Sequence, residues 1–400
     1  MNKRPTIGIR MPPWTNSTWL ILGGIMDYLK DNEIWKIVTE DNSYGEMETI
    51  HIGVGWKGDG VILYRATDEE LEYFKENNIA VCLLSSEGPD GSFPRVIPDN
   101  VSIGELAARH LLETGAQSFG FLARGETLYK EKIHSPGIRI YPRQRLKGYV
   151  KQLKKRGFEP DVFYLKGYPL WKKDTWKKIE KDVSSYLKSL PKQTALFCAD
   201  DALASVALRV AEKQNIKVPE ELMVLGFGNT INYCHSTLPA MSSIVYPGRT
   251  IGLEASRIIA KQLSQDYETP KTLHIGIEDI KERESTSFIA IEDPEIAALV
   301  KWIRLKAPTE AIQVSDLQEH TSYSLSSIKL KFKECLGHSP KDEIKQVRVT
   351  RLKSHLKDIG KNLTDISQEM DFRSTEEMSR FFLRETGLRP SIFRQQLKPR

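Results

Sequence analysis

Through the first 290 residues, short apolar runs alternate with longer stretches whose apolar positions recur every three to four residues. "PTIGIR" (5–10) is a short alternating run, followed after a loop by "WLILGGIMDYLKDN", where Leu22, Ile25, Met26 and Leu29 fall at helical spacing. "DGVILY" (59–64) precedes a polar helix around "TDEELEYFKENN", and "IAVCLLS" (79–85) is a further buried run. "SIGELAARHLLETGA" (102–116) reads as an amphipathic helix ending at Gly115, and "SFGFLA" (118–123), "TALFCAD" (194–200) and "LMVLGFG" (222–228) continue the series. Strand–helix alternation over this length predicts α/β architecture, with parallel sheets covered by helices on both faces. Ligands of such sheets bind beyond the carboxyl ends of the strands. The loops after "IGIR", "FGFLA", "ALFCA" and "VLGFG" are therefore the places to look for a site.

The period changes in the last hundred residues. Ile296, Leu299, Val300 and Ile303 share one face of a helix in "IEDPEIAALVKWIRLKAP" (291–308). A repeat follows: "VSDLQEHTSYSLSSIKLKFKECLGHSP" from Val314, and "LTDISQEMDFRSTEEMSRFFLRETGLRP" from Leu363, 49 residues on. Each copy reads as a short polar helix, a turn, a second helix carrying Phe332 or Phe381, then Gly337 and Pro340 or Gly387 and Pro390. Ser315 and Thr364 are expected to cap the first helices, and Ser374 with Glu377 to form a capping box. Two short helices joined by a tight turn, used twice, predict an all-α domain with two helix-turn-helix units. The stretch between them carries Ile344, Val347, Leu352, Leu356 and Ile359 at helical spacing and predicts a connecting helix.

Charge sharpens this division. The chain of 400 residues has a net charge of +5. From Ala298 onward, 20 Lys/Arg stand against 13 Asp/Glu, while the remainder holds 38 against 40. A basic end behind a slightly acidic body points to a nucleic-acid partner for the end. No run of about 18 apolar residues is present, and the start "MNKRPTIGIRMPPW" has no apolar segment after its basic residues. A cytoplasmic protein without membrane contact is expected. Cys82, Cys198, Cys234 and Cys335 are scattered without metal-ligand spacing, so buried reduced thiols and no metal are expected. The chain has no GxSxG, HExxH, P-loop or GxGxxG, so no enzyme and no cofactor are expected.

Two ordered sets of residues carry resemblances. "PDNVSIGELAARHLLETGAQSFGFLA", "RLKGYVKQL", "ALFCADDALASVALRVAEKQNIKVPEELMVLGFGN" and "MSSIVYPGRTIGLEASRIIAKQL", closing on "IKERESTS", resemble the LacI/GalR-type, periplasmic-binding-protein-like ligand domain over roughly residues 5–290. The resemblance implies two α/β lobes, three strands crossing between them, and a small sugar in the cleft. The chain opens directly on the first strand, so no DNA-binding headpiece is expected before it. The basic end, above all "FFLRETGLRPSIFR", resembles the AraC/XylS-type DNA-binding domain over about residues 298–396. Ser322 and Asp371 stand at turn positions where that family often has glycine. This order of domains is similar to that of the xylose-operon type of regulator.

The expected domains are therefore an effector domain over residues 1–290, a junction over 291–297 and a DNA-binding domain over 298–400. A sugar site pairs aromatic rings with side chains that bond hydroxyls, and arginine offers a planar fork. The resemblance implies ligand contact for Arg145 of "RLKGY" and Asp200 of "CADD". Trp14 and Trp19 follow the first strand, and Asn229 is a candidate because Gly228 stands where a cleft carboxylate is common. Plainer readings compete: Asp200 or Asp201 as a helix N-cap, and Trp19 as core. On the DNA side the candidates are Ser324, Ser326, Lys329, Lys331, Lys333, Arg373, Ser374, Thr375, Arg380 and Arg384. The implied partners are double-stranded DNA, a sugar such as D-xylose, a second copy of the chain and RNA polymerase. The competing function is a carbohydrate-binding protein or degenerate enzyme with a basic protein-interaction module.

Overall fold

The computed structural model describes residues 4–12, 16–32, 35–40, 51–85, 93–125, 140–165, 175–265, 271–277, 279–287, 291, 293–357 and 361–397. The chain divides into two compact units, the first holding both sheets and the second the C-terminal helices.

In the first unit the order is β1 (Thr6–Arg10), α1 (Asn16–Asp31), β2 (Lys36–Thr39), β3 (Gly60–Leu63), α2 (Asp68–Glu76), β4 (Ala80–Leu83), β5 (Arg95–Pro98) and α3 (Asn100–Leu112). Then come β6 (Ser118–Arg124), α4 (Ile140–Lys154), β7 (Asp161–Leu165), α5 (Thr175–Ser189), β8 (Thr194–Cys198), α6 (Asp201–Lys213), β9 (Leu222–Gly228) and α7 (Ile231–Cys234). The unit closes with β10 (Ser242–Val245), α8 (Gly248–Leu263), β11 (Thr272–Ile275), β12 (Ile280–Lys281) and a 3-10 turn, Glu284–Thr286.

These strands form two sheets, ordered β11-β5-β4-β3-β1-β2 and β12-β10-β9-β8-β6-β7, parallel except for β12 against β10. The chain passes between them after β5, after β10 and after β11, which gives the two lobes and three crossings expected. The central runs are apolar on both faces because both faces are covered. Ile62 and Cys82 face α1 and α8 with Ile7, Ile25 and Ile258, while Val61, Leu63, Val81 and Leu83 face α2 with Phe74. Each lobe has one helix pair seated by glycine. A Cβ at Gly24 or Gly252 would overlap backbone across the α1–α8 contact, and one at Gly104 or Gly148 would do so across α3–α4.

Several local expectations are corrected. The buried face of α1 is Ile21, Gly24, Ile25 and Tyr28, and Met26 points outward because the helix turns its glycine toward α8. The short strands β2, β5, β7, β10, β11 and β12 lie outside the runs read as strands. Cys335 is exposed, whereas the other three cysteines are buried.

The second unit holds α9 (Pro294–Lys306), a 3-10 helix (Val314–His320), α10 (Leu325–Leu336), α11 (Pro340–Lys357), α12 (Leu363–Glu369), α13 (Thr375–Thr386) and α14 (Pro390–Leu397). It has two small cores. One gathers Ile296, Leu299, Val300, Ile303, Leu317, Ile328, Phe332 and Ile344; the other gathers Leu352, Leu356, Ile366, Met370, Met378, Phe382 and Phe393. Helix α11 contributes to both, Ile344 and Val347 at one end and Leu352 and Leu356 at the other; Ile359 lies outside the described residues. Residues 291–297, read as a junction, include Ile291 and Ile296 of the first core, and Asp293 caps α9.

The caps differ from those read in the sequence. The first helix of the second copy is capped by Asn362, whose side chain accepts from Asp365 N at 2.8 Å, rather than by Thr364. Ser315 lies within the 3-10 helix of the first copy, exposed, and donates to Asp316. Ser374 does accept from Glu377 N at 3.2 Å, but the Glu377 carboxylate returns to Arg373 N instead of closing a box. The repeat offset is 49 residues only up to the turn. Beyond it the N-caps Ser324 and Ser374, the glycines Gly337 and Gly387, and the buried rings Phe332 and Phe382 are all 50 apart. Phe382, not Phe381, is thus the equivalent of Phe332, because the first copy has one residue fewer in its turn.

Candidate ligand cleft and nucleic-acid interface

The carboxyl ends of the second sheet's strands converge on one place. Arg124 ends β6, Asp200 follows β8, Phe227 and Gly228 end β9, and Tyr246 follows β10. Arg145 enters from α4, four residues after Tyr141, and its backbone is fixed by the close approach of Gly104 to the Arg145 carbonyl oxygen. Only glycine permits that approach. Arg145 is 5% exposed. Its Nε donates to Asn100 Oδ1 at 3.0 Å and its Nη1 to the Ala199 carbonyl oxygen. It lies 3.8 Å from the Phe227 ring centroid and 4.6 Å from that of Tyr141. Burial pulls its pKa down to about 10, against the opposing fields of Tyr141, Asp200, Tyr246 and Tyr64. Tyr64 follows β3, so the first lobe faces the same group.

Asp200 takes the capping role weighed for it and has its other oxygen near a guanidinium. Its Oδ1 accepts from Leu203 N at 2.9 Å and caps α6, while its Oδ2 lies 3.6 Å from Arg124 Nε. The structure thus places Arg145 beside the segment that carries Asp200. The Asn229 Oδ1 accepts from Arg283 Nη2 at 2.8 Å. The backbone oxygen of Asn229 accepts from Asn16 Nδ2 of α1 at 3.4 Å, so the first lobe reaches the end of β9 here. Trp19, on the first turns of α1, is 63% exposed, which rules out its reading as core. Trp14 lies outside the described residues. Arg124, Tyr141, Phe227 and Tyr246 were not singled out in the sequence; Arg124, Phe227 and Tyr246 stand at or just after strand ends.

Gly228 has φ +127°, and a Cβ there would lie 3.0 Å from Asp201 Oδ2. The Asp201 carboxylate is 2% exposed beneath this backbone and accepts from Ser243 Oγ at 2.6 Å and Thr230 N at 2.7 Å. Burial pushes its pKa up to about 6, although those hydrogen bonds oppose the rise. Asp201 is therefore committed to holding the end of β9 and the start of α7.

The helical unit presents its charges differently in the two copies. On α10, Ser324 is the N-cap, accepting from Ser327 N, and Ser326, Lys329 and Lys333 are exposed. Lys331 turns away: its ammonium is 2.6 Å from Asp293 Oδ2 and 4.6 Å from the Tyr323 ring centroid. It ties α10 to the cap of α9, which corrects its reading as a DNA contact. On α13, Ser374 is the N-cap and Thr375 is half-buried with its hydroxyl 3.4 Å from Ser367. Arg373, Arg380 and Arg384 are exposed. With the 50-residue offset, Arg380 and Arg384 correspond to Leu330 and Glu334, while Lys329 and Lys333 sit one position earlier. The two basic stripes therefore lie about 100° apart around their helix axes. Asp371, at the turn before α13, adopts φ +54°, the left-handed conformation that glycine commonly fills.

A buried acid organises the first copy. Glu343 Oε1 accepts from Arg304 Nε at 2.8 Å, and Oε2 lies 2.8 Å from His338 Nε2. Burial would raise the Glu343 pKa, but His338 and Arg304 hold it below its ordinary 4.5. The Glu343 hydrogen bond raises His338 above 6.5. The His338 share of this stability is complete below pH 6.5 and is lost as pH rises through the raised value; the Glu343 share is complete above pH 4.5 and is lost on acidification. His338→Gln is expected to cost roughly 1–2 kcal/mol near pH 6, the scale of a partly screened charge-assisted bond. That difference from wild type should shrink toward pH 8 in urea denaturation curves. A cost independent of pH would show that the imidazolium is not the contributing form.

Residues 108–286 match the family described as periplasmic binding protein-like domain, and residues 317–396 match the family described as helix-turn-helix domain. The chain joins a periplasmic-binding-protein-like domain to a helix-turn-helix domain. The first of these holds the Arg145 cluster and the second the basic helices. Over nearly the whole chain there is similarity to the xylose operon regulatory proteins of Haemophilus influenzae, 23% identical over 94% of both chains, and of Escherichia coli, 25% identical over 94% of this chain and 93% of that protein. Among solved structures, a xylose-binding transcription activator superposes with a TM-score of 0.58 over 99% of both chains at 22% identity. The periplasmic-binding-protein-like domain alone resembles a LacI family regulator from Enterococcus faecium with bound ribose, with a TM-score of 0.52 over 70% of this chain and 98% of that one, at 19% identity. Among the described residues, no helix is long and apolar enough to cross a membrane, and no group of His, Cys, Asp and Glu is placed to hold a metal.

Proposed function

We propose that the chain is a sugar-responsive, DNA-binding transcription regulator of carbohydrate genes, working in the cytoplasm as a homodimer and without enzymatic activity. The observation that carries this reading is the pairing of two sites in one chain. One is an inter-lobe cleft with a buried arginine fork between aromatic rings; the other is a pair of capped helices presenting exposed Lys329, Lys333, Arg380 and Arg384. The aromatic rings suit the C–H face of a pyranose and the guanidinium suits paired hydroxyls. The relatives named for the xylose operon extend the reading to xylose or a related sugar. RNA polymerase is the further partner such a regulator would meet at a promoter.

A ligand alters DNA binding only through different affinities for two conformations. The deciding experiment is a gel shift on DNA upstream of the neighbouring genes, with and without a panel of sugars. A shift that responds to one sugar supports the proposal; binding to no DNA under any condition overturns it. Calorimetry supplies the second test. Arg145→Ala and Asp200→Ala should each weaken sugar binding by about 1–3 kcal/mol, the cost of losing a charge-assisted hydrogen bond. Wild-type affinity in either variant would remove that residue from the site.

A further inference from the structure

Among the described residues, the charges around Arg145 do not balance. Arg145 is almost wholly buried, yet both of its hydrogen bonds go to neutral acceptors, the Asn100 side chain and the Ala199 carbonyl. Its Nη2 donates to no group among the described residues. Arg124, whose side chain is 12% exposed, has among the described residues only the Asp200 carboxylate near it, at 3.6 Å, beyond hydrogen-bond distance. Asp200 is already committed through Oδ1 to the N-terminus of α6. The next acid along, Asp201, is turned beneath the backbone and bonded to Ser243 and Thr230. At the end of β9, Gly228 brings no side chain. Among the described residues, two guanidinium groups thus share one partly engaged carboxylate. A buried charge without a counter-ion is costly, and a bound anion relieves that cost more fully than a neutral polyol, whose hydroxyls accept from a guanidinium but bring no charge.

We infer that the effector is an anionic sugar, its carboxylate or phosphate ester held between Arg124 and Arg145 while its ring packs against Tyr141, Phe227 and Tyr246. This rests on the sugar-binding reading of the cleft and narrows it to a charged class. The planar forks of two arginines match a carboxylate or phosphate better than a lysine pair would.

The test uses the full chain in calorimetry at low salt with matched probes. D-glucose is compared with D-glucuronate and D-glucose 6-phosphate, and D-xylose with α-D-xylose 1-phosphate, all of which keep the ring. At least one acid should bind about tenfold or more tightly than its neutral match, the free-energy scale of one charge-assisted contact. The glucuronate and phosphate arms separate carboxylate from phosphate recognition. Arg124→Gln should collapse the acid-to-neutral ratio, and Arg124→Lys should retain part of it; circular dichroism melts show whether each variant folds. If a neutral sugar binds as tightly as its acid, the inference falls and the sugar-binding reading stands. If no probe binds, acid or neutral, both fall.

Discussion

Replacing Arg348 with methionine is expected to destabilise the helical domain by about 2–4 kcal/mol and to loosen its discrimination between operator spacings. Arg348 lies in the middle of α11, between the end that enters the first core and the end that enters the second. It is 6% exposed. Nη1 donates to the Glu310 carbonyl at 2.6 Å and the Ala307 carbonyl at 3.2 Å, on the first copy's side. Nη2 donates to the Met370 carbonyl at 2.7 Å, at the turn of the second copy, and the guanidinium stacks 4.3 Å from the Phe372 ring centroid. Beside it, Asp371 Oδ2 accepts from Ala311 N at 2.9 Å, again joining the two sides. Methionine keeps the volume of the stem but removes three hydrogen bonds; the Glu310 carbonyl still accepts from Ile312 N at 3.1 Å, while the Ala307 and Met370 carbonyls lose the guanidinium donor. The two cores would then be held mainly by α11 itself. Two reading heads on a duplex must stand about one helical turn apart, roughly 34–36 Å, so a looser joint should weaken binding to the native spacing and tolerate inserted base pairs. Urea melts and gel shifts on operators lengthened by one or two base pairs measure both effects. Unchanged stability together with unchanged spacing preference would remove Arg348 from this role.

The architecture was legible because the central strands and the helices facing them announce themselves by period. Strands buried on both faces, such as β3 and β8, leave continuous apolar runs. Edge strands do not: β2 and β7 carry exposed and half-exposed residues over four or five positions, too little to show alternation. The Arg145–Asp200 pair came from the resemblance, supported by the rule that sites gather at strand ends. The same rule reached Asn229, but its side-chain oxygen is taken by Arg283, 54 residues away, a pairing no local pattern encodes. Lys331 is held likewise by Asp293, 38 residues before it. In the helical domain the repeat was plain but its register was not. One residue more in the second turn moves the buried ring from Phe381 to Phe382, and only the packing reveals it. Arg348 carried no sequence signal at all: an arginine on a polar helix face looks like a solvated one until three carbonyls are found around it.

The basic stripes give the last expected result. Removing Lys329, Lys333, Arg380 and Arg384 together by alanine substitution should abolish most DNA affinity at moderate salt while leaving the fold intact. All four are exposed, and the ion pair from Arg384 Nε to Glu385, at 2.8 Å, is a surface interaction between adjacent residues that contributes little. Each phosphate deprived of its cation should lower the log–log salt slope by about 0.9, so four such phosphates lower it by about 3.6. Single substitutions then separate phosphate contact from base reading. Arg380 sits nearer the N-terminus of α13 than Arg384 and corresponds to the exposed Leu330 of α10, which cannot neutralise a phosphate. If Arg380 binds phosphate, Arg380→Ala weakens operator and scrambled DNA alike and flattens the salt dependence. If it reads a base edge, the slope holds while preference at one position relaxes, at about 1–3 kcal/mol. Titrations of both DNAs at several salt concentrations distinguish the two, and an unchanged affinity on both would place α13 outside the groove.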